Sequence, residues 1–116
     1  MDFQTAVRTC FNKYATFDGR AHRPELWWFV LFNLLVSAVL AVIDTVLGFE
    51  LFGSIYSLAV LLPSLAVGAR RLHDIGRSGW WLLIMLVPVI GFLVLIYWYI
   101  QPGERAANQF GPPPLA

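Results

Sequence analysis

The fold is decided by residues 79–100, which read GWWLLIMLVPVIGFLVLIYWYI and contain no charged side chain. As one helix, this segment would span about 33 Å, close to the thickness of the hydrocarbon core of a bilayer. Two further apolar segments precede it, at residues 26–47 and 51–69. Because backbone polar groups inside lipid must be bonded within their own segment, we expect three transmembrane helices. The predicted fold class is therefore an all-α integral membrane protein.

The composition of the 116-residue chain agrees with this fold. Hydrophobic residues make up 59% and charged residues 13%, whereas a soluble domain carries about 25% charged residues. The formal net charge of +1 argues against a nucleic-acid-binding protein. The single cysteine, Cys10, excludes an intramolecular disulfide and a cysteine-rich zinc site. We expect residues 1–116 to form a single multi-pass membrane domain.

The basic residues are distributed unevenly around the three apolar segments. One of the eight, Arg105, follows the third segment, and the other seven lie before the first segment or between the second and the third. Positively charged loops stay in the cytoplasm. This bias predicts that the N-terminus and the loop after residue 69 lie inside. With three spans, residues 101–116 form a tail outside.

The middle of the third segment contains Pro88 and Gly91, and it leaves two structures open. One is a spanning helix with a kink, since proline removes a helical hydrogen bond and clashes with the preceding turn. The other is a re-entrant hairpin that returns the tail to the cytoplasm. Each arm of such a hairpin would have only about ten residues, and protein would have to shield its turn. The short arms favour the kinked helix.

Residues 1–18 are predicted to form an amphipathic helix. Apolar side chains recur at spacings of three and four residues, so that they share one helical face; they are Phe3, Val7, Cys10, Phe11 and Tyr14. Attached to a transmembrane helix, such a segment is expected to lie along the cytoplasmic membrane surface.

Small and weakly polar residues follow helical stripes in the first two apolar segments and predict helix packing. These residues are Asn33, Ser37, Gly53, Ser57, Ser64 and Gly68. They offer more packing faces than a three-helix bundle requires, which is compatible with a homo-oligomer. The same stripe also suits a channel or transporter lined by Asn33, Ser37, Ser57 and Ser64. A proton-coupled transporter usually needs an ionisable group at mid-membrane, and the charged residues lie near the helix ends or beyond them.

Basic and aromatic residues cluster on the predicted cytoplasmic side. Two stretches, at residues 19–28 and 70–81, each contain arginines and a histidine and end in a Trp pair. Arginine binds phosphate or carboxylate bidentately, which suits anionic lipid headgroups or a partner protein. Glu25 and Asp74 are also available to pair with Arg71 and Arg20. The candidate binding residues are Arg20, Arg23, Arg70, Arg71, His73, Asp74, Arg77, Trp27, Trp28, Trp80 and Trp81.

The same residues carry a resemblance to a known family. The first stretch reads Phe17-x-Gly-Arg-x-x-Arg-x-Glu-x-Trp, the second Arg-Arg-Leu-His-Asp followed by Arg-Ser-x-Trp-Trp, and the tail Asn108-x-Phe-Gly-x-x-Pro. This set resembles the YhaH-like family of small bacterial inner-membrane proteins, a domain of unknown function. The resemblance spans nearly the whole chain and implies a bacterial cytoplasmic (inner) membrane location, without implying an activity. Leu26, Gln109 and Pro113 depart from the family pattern.

Catalytic and metal chemistry find little support in the sequence. His22 and His73 lie on separate segments without the paired spacing of a zinc site, so we predict no metal and no cofactor. Ser78 could be grouped with His73 and Asp74, but no nucleophile elbow or oxyanion hole accompanies them. We therefore predict a non-enzymatic membrane module that engages anionic lipid or a partner membrane protein. The alternative is a small oligomeric channel or transporter.

Overall fold

A computed structural model describes residues 1–114 of the chain, and the described part is built from helices. Helices α2 and α3 form a long antiparallel hairpin, on which the remaining elements pack. In chain order the elements are α1 (Phe3–Asn12), α2 (Arg23–Leu47), α3 (Phe52–Asp74), a 3-10 helix (Gly79–Leu86) and α4 (Ile90–Ile100).

The α2–α3 hairpin contains the first two predicted spans. At 25 and 23 residues, the two helices are about 37 and 34 Å long, and both are apolar and long enough to cross a membrane. Pro24 occupies the first turn of α2, where its missing N–H leaves no helical hydrogen bond unmade. Gly48 ends α2 in the left-handed conformation, with a φ of 80°. Helix α3 continues past the predicted limit of residue 69 to Asp74, so Arg70 and Arg71 belong to its last turns.

The third apolar segment is not one helix, and the prediction of a single transmembrane helix over residues 79–100 is wrong. The 3-10 helix ends at Leu86, and α4 begins at Ile90 after a turn in which Val89 has a φ of 65°. Such a backbone conformation is rare for a β-branched residue and reverses the chain. Gly91 lies against the carbonyl of Ile84, where a Cβ atom would collide with the oxygen. The two arms therefore approach each other as closely as backbone allows.

The second arm of this hairpin returns to the start of α2. The indole Nε1 of Trp27 donates to the carbonyl oxygen of Tyr99 at 3.2 Å, and a guanidinium nitrogen of Arg23 donates to that of Ile100 at 3.3 Å. Eight residues of 3-10 helix and eleven of α-helix each rise only about 16 Å, half the length of α2. The tail therefore lies at the same end of the molecule as the arginine-containing loops. A tail beyond a third span would lie at the opposite end of the helices from these loops, so for residues 101–114 the structure disagrees with the arrangement that three spans predict.

Helix α1 is shorter than the predicted residues 1–18 and packs along α2. Ala6 and Cys10 are buried, whereas Gln4, Arg8 and Asn12 are exposed, so the helix is amphipathic as expected. On the packed side, Phe3 and Phe11 make aromatic contacts with three rings of α2 at centroid distances of 5.4–6.2 Å; the rings are those of Trp28, Phe29 and Phe32.

A second proline, Pro63, lies inside α3 without breaking it. Proline cannot donate to the carbonyl four residues earlier, which here is that of Ala59. The hydroxyl of Tyr14, just beyond α1, donates to this carbonyl instead. Membrane helices tolerate proline where a neighbouring group bonds the freed carbonyl, and Tyr14 provides that group.

Candidate functional site

The Arg-containing motifs and the tail motif of the sequence converge on one end of the molecule. We call this the arginine-rich end; it comprises residues 19–25, 70–79 and 99–111. Helix α2 starts here, α3 ends here, and the hairpin returns α4 to the same place. Residues that are up to 91 positions apart in the chain are hydrogen-bonded at this end.

The first buried ion pair joins α3 to α2. A terminal nitrogen of Arg70 donates to Oε2 of Glu25, and both side chains are almost fully buried. The Nε atom of Arg70 also donates to the carbonyl of Thr16 at 3.1 Å. The Sγ atom of Cys10 lies 3.7 Å from the carbonyl oxygen of Glu25 and 3.9 Å from its Oε2, so α1 is attached to the same pair.

The second ionic group is a triad of Arg20, Asp74 and Arg71. Nε of Arg20 lies 2.9 Å from Oδ1 of Asp74, and Arg71 lies 3.1 Å from Oδ2 of the same carboxylate. All three side chains are at least 95% buried. In this environment each charge needs its partner, because an unpaired charge away from water is very costly. The expected pairing of Asp74 with Arg20 is confirmed, whereas Glu25 pairs with Arg70 and not with Arg71.

The tail is held by the same guanidinium groups through its backbone. Arg20 donates to the carbonyl oxygens of Ala106 at 2.9 Å and Gly111 at 3.2 Å, and also to that of Glu104. Arg71 donates to the carbonyl of Gln101. The two arginines therefore close the tail over the end of α3.

His73 is fixed between the loop before α2 and the tail. Its Nδ1 lies 2.8 Å from the carbonyl oxygen of Gly19, which can only accept, so Nδ1 carries a hydrogen. The imidazole stacks on Phe110 with 4.0 Å between centroids and 3° between planes. Asn108 donates to the carbonyl of His73 at 2.9 Å. The structure thus brings the tail motif and the central motif into direct contact.

The other basic residues of this end remain at the surface. Arg23, Arg77 and Arg105 are exposed, and within residues 1–114 none of them is in an ion pair. The guanidinium carbon of Arg77 lies 4.4 Å above the ring centroid of Trp98, in a cation–π contact.

The tryptophans have different environments. The indole N–H of Trp27 donates to the backbone carbonyl of Tyr99, and that of Trp28 donates to the carbonyl of Met1. Trp81 packs edge-on against Trp98 at 5.6 Å. Trp80 is 78% exposed, the highest value among these tryptophans.

Burial alters the titration of two groups near the ion pairs. Burial, together with the negative charge of Glu25, raises the pKa of the Cys10 thiol to about 12, so the thiol stays protonated at neutral pH. Burial lowers the pKa of His22, and neither of its ring nitrogens has a hydrogen-bond partner within the described residues. Protonated His22 is therefore disfavoured in the folded protein.

Some of the predicted packing residues of α2 and α3 contact another helix, and others do not. Asn33 accepts a hydrogen bond from the Tyr56 hydroxyl at 2.7 Å, which joins the two helices. Gly68 is buried against the Tyr99 hydroxyl of α4, where a Cβ atom would be too close. Ser57 donates to the carbonyl of Gly53 in its own helix. Ser37 is exposed and Ser64 half-buried.

Several residues of the arginine-rich end are not among the binding residues that the sequence predicts. Glu25 was named only as an ion-pair partner, and Tyr99, Glu104, Asn108 and Phe110 were not assigned a role. The closing Asn-x-Phe-Gly pattern was the signal that could have identified the last two. The tail carbonyls carry no signal, because any residue supplies a carbonyl.

Comparison with known proteins agrees with these observations. The family profile described as a protein of unknown function, DUF805, matches residues 14–112. The inner membrane protein YhaH of Escherichia coli strain K12 is 44% identical over 109 residues, which cover 89% of this chain and 90% of YhaH. The inner membrane protein YhaI of the same organism is 46% identical over 105 residues, 89% of each chain.

A more distant relative, the uncharacterized protein YiiR of Escherichia coli strain K12, is 34% identical over 109 residues, covering 84% of this chain and 67% of YiiR. No solved structure matches the chain. The resemblance predicted from the sequence motifs is confirmed, as is the location in the bacterial inner membrane. The chain belongs to the DUF805 family, whose function is unknown.

Proposed function

We propose that this protein is a non-catalytic membrane module that binds anionic lipid headgroups through the exposed arginines of the arginine-rich end. Helices α2 and α3 cross the membrane, α1 lies at the cytoplasmic surface, and the third apolar segment enters the membrane and returns. Both termini are then cytoplasmic.

The distribution of charge supports this orientation. With the tail at the arginine-rich end, the turn between α2 and α3 contains Glu50 and no basic residue, while all eight Lys and Arg residues lie outside the α2–α3 turn. An excess of basic residues on one side favours the cytoplasm for that side.

The observation that carries the functional proposal is the division of the arginines into two groups. Arg20, Arg70 and Arg71 are used internally, because their guanidinium groups are buried on carboxylates. These three are unsuited to headgroup binding, although the sequence made them candidates. Arg23, Arg77 and Arg105 remain exposed at the same end.

The exposed group has the chemistry that a headgroup phosphate requires. Each basic residue close to an anionic leaflet gains about 1 kcal/mol, so three together favour anionic over zwitterionic lipid. Trp80 and Trp81 begin the 3-10 helix, and exposed indoles favour the headgroup level of the membrane. Arg77 is held over Trp98, so its planar fork is oriented before a phosphate arrives.

The experiment replaces Arg23 and Arg77 together, once with Gln and once with Lys, and measures the anionic lipid that co-purifies, by native mass spectrometry. We expect both double variants to lose bound anionic lipid, since Lys keeps the charge but not the fork. The matched control is Arg8→Gln on α1, which removes an exposed arginine outside this end and should retain the lipid. Wild-type lipid content in the Lys variant would contradict recognition through the fork. Wild-type content in the Gln variant would contradict the proposed function.

A further inference from the structure

A second surface of the protein, separate from the exposed arginines, is an apolar groove between α3 and the 3-10 helix. Its volume is about 600 Å³. Leu65 and Ala69 line it from α3, and Leu82 and Leu83 from the 3-10 helix. Phe17 and Phe110 close it at the arginine-rich end. Within residues 1–114, its lining contains no Asp, Glu, Lys or Arg.

One polar side chain of the groove lining has its hydrogen bonding partly assigned. His73 lines the groove, and its Nδ1–H is already bonded to the carbonyl of Gly19. In the neutral ring Nε2 is therefore an acceptor. Nε2 lies 3.5 Å from the position that a Cβ on Gly79 would take, so it is beside a second residue of the groove lining. The stacking on Phe110 fixes the orientation of the ring.

The location and size of the groove select its occupant. From His73 to Leu65 it follows α3 for about 12 Å into the predicted membrane. Leu65 and Leu83, at its deep end, are 40% and 57% exposed, so the groove opens sideways to the lipid chains. Because the groove opens to the lipid chains and its lining is largely apolar, a lipid chain is the occupant that its surroundings supply.

We propose that this groove binds one hydrocarbon chain of an uncharged lipid whose hydroxyl group donates to Nε2 of His73. The described lining offers no basic side chain to a phosphate, and with Nδ1–H bonded to Gly19, Nε2 is the nitrogen that a hydroxyl can reach as a donor. Ser78, at the same end of the groove, is the second polar lining residue available to the hydroxyl. This site goes beyond the proposed function, because it recognises a chain and a neutral donor instead of a negative charge.

The test uses the full chain in nanodiscs of zwitterionic lipid at pH 8, with two photoreactive probes. One is a long-chain primary alcohol with a diazirine in its chain, and the other is the methyl ether of the same alcohol. We expect the alcohol to label residues 65–83 about fivefold more than the ether, since one hydrogen bond distinguishes the probes. Equal labelling by the two probes would overturn the role of His73.

Two variants locate the effect. Leu83→Trp fills the groove and should abolish the labelling of residues 65–83. The matched control, Leu93→Trp, changes a leucine of nearly the same exposure on α4 and should leave labelling unchanged; the two leucines are 57% and 58% exposed. His73→Phe preserves a flat ring for Phe110 and should reduce alcohol labelling to the level of the ether. Undiminished labelling in Leu83→Trp would reject the groove as the site. Because both probes are uncharged, failure here leaves the proposal for Arg23 and Arg77 unaffected.

Discussion

Both ends of the α2–α3 hairpin contain buried carboxylates, but the groups that bind these carboxylates differ between the two ends. At the arginine-rich end, Glu25 and Asp74 are paired with three buried guanidinium groups. At the other end, which we call the distal end and define as residues 44–53, the carboxylate of Asp44 accepts from the backbone N–H groups of Phe52 at 3.1 Å and Gly53 at 3.0 Å.

The difference lies in the chain separation that each end bridges. The distal contacts join residues eight and nine positions apart, so they shape a turn and begin α3. At the arginine-rich end, the contacts Arg70–Glu25, Arg20–Asp74 and Arg20–Gly111 join residues 45, 54 and 91 positions apart, and they hold α2, α3 and the tail together. We therefore expect the tertiary structure to depend on the arginine-rich end and only local helix stability to depend on the distal end.

In the proposed topology, the two ends lie on opposite sides of the membrane. In a Cys10→Ser background, Phe49→Cys at the distal end should react with an impermeant thiol reagent in intact cells. Ala107→Cys in the tail should react only after the cells are opened, because the hairpin returns the tail to the cytoplasmic side. Labelling of Ala107→Cys in intact cells would show that the third apolar segment crosses the membrane.

That hairpin is the part of the fold that the sequence could not predict. Hydropathy located α2 and α3 well, since each is a continuous apolar segment. It could not distinguish a spanning helix from two arms, because both have the same composition. Proline alone does not decide the matter either, since Pro63 remains inside α3 while Pro88 precedes a reversal. The reversal depends on the positive φ of Val89 and the contact of Gly91 with Ile84, which are tertiary features.

The sequence predicted only part of the candidate site, because the rest of the site also depends on tertiary contacts. The charge pattern identified the arginines and the two carboxylates, and the pairing of Arg20 with Asp74 was expected. Hydropathy and charge could not tell which arginines are buried, because Arg20 and Arg71 bind the tail, whereas Arg70 binds Glu25 and the carbonyl of Thr16. Arg20 and Arg71 bind the tail through the backbone carbonyls of Gln101, Ala106 and Gly111. Backbone carbonyls are present in every residue, so the sequence does not identify them.

Breaking the Arg70–Glu25 pair should have the largest effect on stability. Arg70→Met leaves the Glu25 carboxylate buried without its partner, which costs about 3–5 kcal/mol of unfolding free energy. Denaturant titration of the purified protein in mild detergent, monitored by tryptophan fluorescence, measures the loss. The double variant Arg70→Met with Glu25→Leu removes both charges and should recover most of the stability, since a buried pair can be replaced by apolar side chains. A double variant as unstable as Arg70→Met would show that the charge of Glu25 is not the cause.

At the distal end, Asp44→Ala should have a smaller effect. It removes the acceptor for two backbone N–H groups at the start of α3, and loss of such a cap costs about 1 kcal/mol. Asp44→Asn keeps one acceptor oxygen and should lose less. The same titration compares these variants with Arg70→Met. A loss in Asp44→Ala as large as that in Arg70→Met would contradict the distinction between a local and a tertiary role.

The smallest expected effect is a pH dependence confined to the arginine-rich end. Burial lowers the pKa of His22 in the folded protein below its ordinary value of about 6.5, so the unfolded chain binds more protons as the pH falls. The contribution of His22 to stability is therefore complete above about pH 6.5 and is lost as the pH falls towards the lowered pKa. The unfolding midpoint of the wild type should fall between pH 7 and pH 5, and His22→Phe should reduce this fall, because phenylalanine carries no proton. An equal fall in His22→Phe and the wild type would assign the pH dependence to another group.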